Sequence, residues 1–315
     1  MKIKKTIGTT LLLSAMVQAG ETYDPGPLTS VIPEDPFAAA IRPITNPTLF
    51  DLAVPRTQLH AIYINHQFPD QISSTGGAVP LGGDLNLYAL QLEYALNERT
   101  SIVATKDGYI DFNPGQTLTD AEGFANLGAG IKRALIYRPE SGYVLSGIAT
   151  VELPTGDSEV FQGNGDGAIN LNLAGLKMYD RLQLAHNLNV HVPFDDSQAL
   201  TGAISLHASY EVKPWFIPLI ELNWYRTFSE GDGTSAFDDQ GGTLVPSVVN
   251  FEGGDFFNLG TANADDNADI VILGLGFRSK INESANVGFA YEFPLTDSEA
   301  NLMDERFTVD FVYQF

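Results

Sequence analysis

The residues best suited to acid–base chemistry in this chain are five histidines; cysteine is absent, which removes thiolate chemistry and disulfide staples together. A histidine base needs a hydroxyl nucleophile within reach and a carboxylate to orient it. His60 and His66 share one face of an alternating segment, His191 and His207 fall on polar faces, and His186 sits among apolar neighbours. No G-x-S-x-G, H-E-x-x-H, phosphate loop or dinucleotide fingerprint accompanies them. No catalytic residue is therefore expected, and Ser205 with His186 is the pair to alter if a surface lipase-type activity exists. The run Phe161-Gln162-Gly163-Asn164-Gly165-Asp166-Gly167-Ala168 has the flavour of a calcium loop. It lacks alternating carboxylates and a terminal Glu, so it reads as an external turn, and neither a metal nor a cofactor is expected.

Charge excludes another class of function. The formal net charge is -22, and it becomes more negative once the lysines of the N-terminal leader are set aside. Binding a polyphosphate needs concentrated Lys and Arg, so nucleic acid is not an expected partner. Between Ser229 and Ala268 stand Glu230, Asp232, Asp238, Asp239, Glu252, Asp255, Asp265 and Asp266 with no Lys or Arg, the composition of a solvated loop. The same stretch carries Leu244, Val245, Val248, Val249, Phe251, Phe256 and Phe257, an apolar content that suits a loop folded inward or an extra hairpin.

What must position these residues is a set of strands. The N-terminus has the form of a signal peptide over 1–19: Lys2, Lys4 and Lys5, an apolar core with Leu11, Leu12 and Leu13, then Val17-Gln18-Ala19. Residues 20–56 are Pro-rich and cannot form a central strand, so they read as a leader or a partial plug. From 57 to 315 the sequence alternates with period two in twelve segments, near 57–68, 84–95, 99–106, 123–137, 143–153, 168–178, 182–192, 200–212, 215–228, 269–279, 284–293 and 305–315. Short connections alternate with long ones near 69–83, 107–122, 154–167, 193–199, 229–268 and 294–304. A membrane sheet must close on itself, and outer-membrane barrels alternate short periplasmic turns with long external loops. The expected fold is all-β, a transmembrane up-and-down antiparallel β-barrel of twelve strands, or fourteen if 229–268 adds a hairpin, with both termini periplasmic.

The phase of the alternation names the residues facing the lumen. Asn126, Lys132, Glu152, Asn170, Asn172, Asn187, Asn189, His191, His207, Glu211, Glu221 and Asn223 are the expected pore-lining set. They are mostly neutral, and no Arg and Lys ladder stands opposite acids, which disfavours a general porin with a strong transverse field. In the last segment Phe307, Val309, Phe311, Tyr313 and Phe315 alternate with polar residues. Phe307, Phe311, Tyr313 and Phe315 look like the C-terminal signature that barrel-assembly machinery recognises.

Three short motifs carry a family resemblance. They are Gly123-Phe124-Ala125-Asn126-Leu127 with Gly130-Ile131-Lys132, then Glu152-Leu153-Pro154-Thr155-Gly156-Asp157, and the marker Ala104-Thr105-Lys106-Asp107-Gly108-Tyr109. The chain resembles the MetA-pathway phenol-degradation family of outer-membrane transporters, related in theme to FadL-type channels, although Asn126 replaces the usual Asp and Arg133 the usual aromatic. The resemblance implies a monomeric outer-membrane channel for small, aromatic or otherwise hydrophobic solutes, with outer-membrane lipids, the assembly machinery and the solute as partners. A plugged structural or adhesion barrel is the alternative, and a surface phospholipase-type enzyme the remote one.

Overall fold

The computed structural model describes residues 37–315, apart from the side chains of Asp265 and Asp266. The signal peptide expected at 1–19 lies outside the described residues, as does the first part of the Pro-rich segment. Sixteen strands form: β1 (Gln58–Gln67), β2 (Gln71–Ile72), β3 (Val79–Pro80), β4 (Gly83–Asn97), β5 (Thr100–Lys106), β6 (Tyr109–Pro114), β7 (Ala121–Phe124), β8 (Leu127–Arg138), β9 (Tyr143–Leu153), β10 (Ala168–Tyr179), β11 (Leu182–Pro193), β12 (Leu200–Tyr210), β13 (Ile217–Ser229), β14 (Asp269–Lys280), β15 (Ala285–Pro294) and β16 (Glu305–Gln314). β5 with β6, and β7 with β8, are each one staggered wall strand interrupted by two residues, while β2 and β3 make a separate small hairpin. The wall is thus a closed ring of twelve antiparallel strands, sealed by β1 against β16 from Gln58↔Gln314 to Gln67↔Glu305.

Fourteen wall strands do not occur. Residues 244–248 form a short helix, because the 229–268 segment is punctuated by glycines and a proline and never sustains alternation. The connection expected at 107–122 is also revised. β6 and β7 extend the third and fourth wall strands and shorten the turn to 115–120. Their Ile110 and Phe112 alternate, but the glycines around them hide the pattern at the level of sequence.

Period-two geometry then sorts the side chains. Outward stand Leu90, Leu92, Ile102, Ile131, Leu135, Leu171, Ile220 and Leu275, bounded by Tyr63, Tyr88 and Phe124 toward the long loops and by Tyr94, Tyr179, Tyr210, Trp215 and Tyr313 toward the short turns. That is an apolar band with aromatic girdles. Inward on the same strands lie Gln91, Glu93, Ser101, Lys132, Ser146, Asn187, Ser205, Glu221, Asn223, Arg278 and Asp310, all buried.

These inward groups are buried because residues 37–56 lie inside the ring. Ile41 and Gln183 exchange two hydrogen bonds, at 2.8 and 2.7 Å, as a strand partner would. Ile44 and Thr45 donate their N–H groups to Glu221 at 3.1 and 2.7 Å, Asn46 donates to Ser205, and Asn187 and Gln91 donate to the carbonyls of Leu49 and Pro47. Apolar side chains of the segment find the few apolar inward positions: Phe37, Phe50, Leu52 and Val54 pack with Val103, Val144, Ile148 and Leu176. Asp51 is held by Arg42 at 2.5 Å and by Lys132 at 2.7 Å, and Lys132 also reaches Glu93 at 3.0 Å.

Removing Lys132 leaves two buried carboxylates without their common cation, a loss of about 3–5 kcal/mol for such a network. Lys132→Met is expected to loosen the plug before the wall, read as faster tryptic cleavage after Arg56, the one Arg of the segment not followed by proline, while the barrel itself stays protease-resistant.

Candidate functional site

Beyond single-residue register shifts such as those at Leu200/Thr201 and Ala134/Ile136, the wall ladder is interrupted around β5 to β8. β4 pairs with β6 over Gly83–Tyr88 and with β5 over Leu92–Asn97, so Ala89, Leu90 and Gln91 have no ladder partner on that edge. On the next seam Asp107-Gly108 faces Ala125-Asn126, between the β5–β8 and β6–β7 ladders. Unpaired amides in a wall facing hydrocarbon are costly, and here side chains satisfy them. The Asp107 carboxylate accepts from Leu90 N at 3.0 Å, the Asp157 carboxylate from Phe124 N at 2.7 Å, and Thr155 Oγ1 from Leu127 N at 3.1 Å. Asn126 knits the loop behind: its Oδ1 accepts from Gly156 N and Gly163 N, and its Nδ2 donates to Glu152. A side chain at Gly156 would sit 2.6 Å from Phe124 O and 2.8 Å from Asn126 N, and Gly108 holds a φ of +134°, so both positions need glycine.

The break opens an apolar crevice of about 770 Å³ in the outer surface, lined by Tyr63, Tyr88, Leu90, Tyr109, Phe124 and Leu127 and floored by Ile62, Ala89, Gly108 and Ala125. The three segments that carried the family resemblance, 104–109, 123–127 and 152–157, all converge on it.

Behind the crevice the interior departs from the expected hydrophilic lining. Inward positions of β1, β4 and β6 toward the loop end are Ile62, Ile64, Leu85, Leu87, Ile110 and Phe112, continuous with Ala125, Phe161, Phe251, Phe256 and Phe257. The segment 230–268 supplies the last three by folding inward over the mouth. Its anchor is Arg306 of β16, which makes two hydrogen bonds to Asp255, at 2.9 and 2.8 Å, and lies 4.1 Å from the Phe256 ring centroid. Glu252 ties the segment to itself by accepting from Leu259 N and Thr261 N. Burial pushes the Glu252 carboxyl up to about 8 against the opposite pull of those N–H groups.

Of the expected pore-lining residues, Asn126, Lys132, Glu152, Asn170, Asn187, Asn189, His191, His207, Glu221 and Asn223 are buried in the interior, and half-buried Asn172 accepts from Asn189 at 2.8 Å. Glu211 lies beyond the end of β12, where it pairs with Lys280 at 2.6 Å. His207 bridges Glu221 at 2.6 Å and Ser209 at 2.9 Å, the order of a triad, yet Ser209 is only 4% exposed and Glu221 is engaged by the plug amides. Ser205 faces inward, whereas His186 faces outward on the neighbouring strand, so the wall separates them. The loop 161–168 turns Gln162 and Asn164 inward onto Phe256 O and Asn258 O. No cluster of three metal-binding side chains occurs among the described residues.

Sequence reading missed Glu93, Arg278, Arg306, Asp310 and Glu292 as interior groups. They add charges to a lining expected to be mostly neutral. Arg278 pairs with Asp310 at 2.7 Å, and Lys106 with Glu152 at 2.5 Å, so the charges are present but neutralised locally instead of facing each other across water. The signal was available for β16, where Arg306, Thr308 and Asp310 alternate with the outward Phe307, Val309, Phe311 and Tyr313.

No family model and no curated protein matches the sequence. Solved structures do match in fold. The COG4313 outer membrane channel from Pseudomonas putida F1 aligns with a TM-score of 0.56 at 15% identity, covering 83% of this chain and 96% of that one. The NanC porin aligns at 0.48 and 5%, covering 82% and 100%, and the translocator domain of the autotransporter NalP from Neisseria meningitidis at 0.47 and 13%, covering 82% and 88%. The likeness to the first of these is one of fold, the membrane barrel.

Two outcomes are expected for the inward segment. Arg306→Ala removes both bonds to Asp255 and the cation over Phe256, and should raise ion conductance in planar bilayers several-fold; an unchanged conductance would mean that the segment is held elsewhere. A carboxyl raised from 4.5 to about 8 makes the folded segment bind a proton the open one releases, so its stability is greatest below pH 4.5 and declines until about pH 8. A spin label at Ser247 should gain mobility across that window and not beyond it, and Glu252→Gln should flatten the profile.

Proposed function

We propose that the chain is an outer-membrane channel that takes up small aromatic or otherwise hydrophobic solutes and releases them sideways through the wall break. The observation that carries this reading is the continuous apolar strip from the loop-end Phe112 and Phe161, past Ile64 and Ile62, to Ala125 at the crevice. A polar solute entering the ring meets residues 37–56, whose hydrogen bonds occupy the wall groups it would use. An apolar solute loses nothing by leaving water along the strip and gains about 25 cal/mol for each Å² it buries.

In this reading the short turns and both chain termini face the periplasm, the protein acts as a monomer, and lipids surround the apolar band. Phe307, Phe311, Tyr313 and Phe315, on the outward row ending β16, would present the assembly signal. Asn170, Asn172, Asn189 and His191 would line the passage once the plug shifts, with Asn187, Glu221, Asn223, Lys132 and His207 exchanging plug contacts for water.

A closed structural or adhesion barrel is the second reading, and the filled lumen favours it. Toluene uptake by cells with a lipopolysaccharide-covered outer membrane separates the two. Expression is expected to raise the uptake rate several-fold, and Ala125→Trp, which fills the crevice floor, to cancel the gain. Uptake no faster than in cells lacking the protein would hand the case to the closed barrel.

A further inference from the structure

We propose that a chamber at the loop end of the barrel is a binding site for one neutral, single-ring aromatic molecule. The chamber encloses about 200 Å³ between Phe68, Phe112, Phe161 and Phe257 below and Val245 and Val248 of the 244–248 helix above. A dry cavity of about 150 Å³ lined by Leu, Ile and Phe is enough to admit benzene, so this one has room for one ring with a small substituent.

Charge sets the second limit. Asp239 is the one charged side chain on its lining, and it is exposed at the rim. The whole stretch 229–268 that roofs the chamber carries no Lys or Arg, so an aromatic carboxylate would find no cation to replace its water. Edge-to-face packing is already the local habit, with Phe68–Phe112 and Phe112–Phe161 centroids at 5.4 and 5.5 Å, and a guest ring extends the same arrangement.

The floor of the chamber is strained. Phe161 holds a φ of +59°, a left-handed conformation that a bulky side chain adopts only under constraint. Its ring is gripped by Phe237 at 4.8 Å and Phe257 at 6.0 Å, and Phe161 and Phe257 also line the small polar chamber beneath, beside Asn170, His191 and Glu152. A strained aromatic between an apolar and a polar compartment is where a ligand clamp stores its strain.

The site deepens the channel reading and rests on it only for the onward passage of the captured ring; binding itself needs no movement of the plug. The test is a fluorine NMR titration of the full chain in lipid nanodiscs, with fluorobenzene as the probe, where lipid partitioning appears as a non-saturating background common to all variants. Saturable binding is expected in the native protein. Val248→Trp, which fills the roof, should weaken it by about tenfold or more. Phe257→Ala, which enlarges the chamber, should bind 1-fluoronaphthalene more tightly than the native protein does, and 4-fluorobenzoate should not saturate either form. If Val248→Trp loses the sheet signal in circular dichroism, Val245→Phe takes its place. Absence of saturable fluorobenzene binding, equal binding after the roof is filled, or equal binding of 4-fluorobenzoate each overturns the proposal. Saturable binding without cellular uptake would leave the chamber standing and remove the channel, whereas uptake without saturable binding would do the reverse.

Discussion

Hydrocarbon offers no hydrogen bonds, so every peptide group facing it must be paired within the protein. A sheet meets that demand only by closing, and the seam between β1 and β16, running from Gln58↔Gln314 to Gln67↔Glu305, completes the circuit. The interruption at 107–108 and 125–126 obeys the same rule by other means, because Asp107, Asp157 and Thr155 supply acceptors that the missing strand edge does not. At this break side-chain caps stand in place of a ladder across two neighbouring seams.

Closure fixes the second problem, which is what fills the ring. Twelve strands enclose more space than their own inward side chains occupy, while inward carboxylates and amides cannot be left dry and unpaired. Residues 37–56 resolve both at once. Their backbone serves Gln183, Glu221 and Asn187, and their Arg42 and Asp51 join Lys132 and Glu93 in one buried network. Such a network adds little net stability, since ions removed from water recover little beyond their desolvation cost, but losing one partner strands a buried charge. The interior is therefore divided: a polar half occupied by the plug, and an apolar half from the loop-end aromatics to the crevice.

The inward fold of 230–268 comes from its mixed composition. Its phenylalanines need cover and its acids need partners, and Arg306 offers a cation beneath both Asp255 and Phe256. Solvent on the outside and the aromatic cluster on the inside leave the segment one orientation.

The closed barrel of twelve strands was legible in the sequence, because alternation is a property of adjacent residues and survives without knowledge of distant ones, whereas the glycines around β6 hid where its connection ends. The parity of β16 also held the charged residues Arg306 and Asp310, although reading only its aromatic face concealed them. What tertiary structure alone decided depends on partners far apart in the chain: that Ile41 would meet Gln183, that Arg306 would hold Asp255, and that 104–109, 123–127 and 152–157 would meet at one break. Period-two spacing says which way a side chain points. It cannot say what stands opposite, since that is set by ring closure and by the search of a proline-rich segment for unsatisfied polar groups.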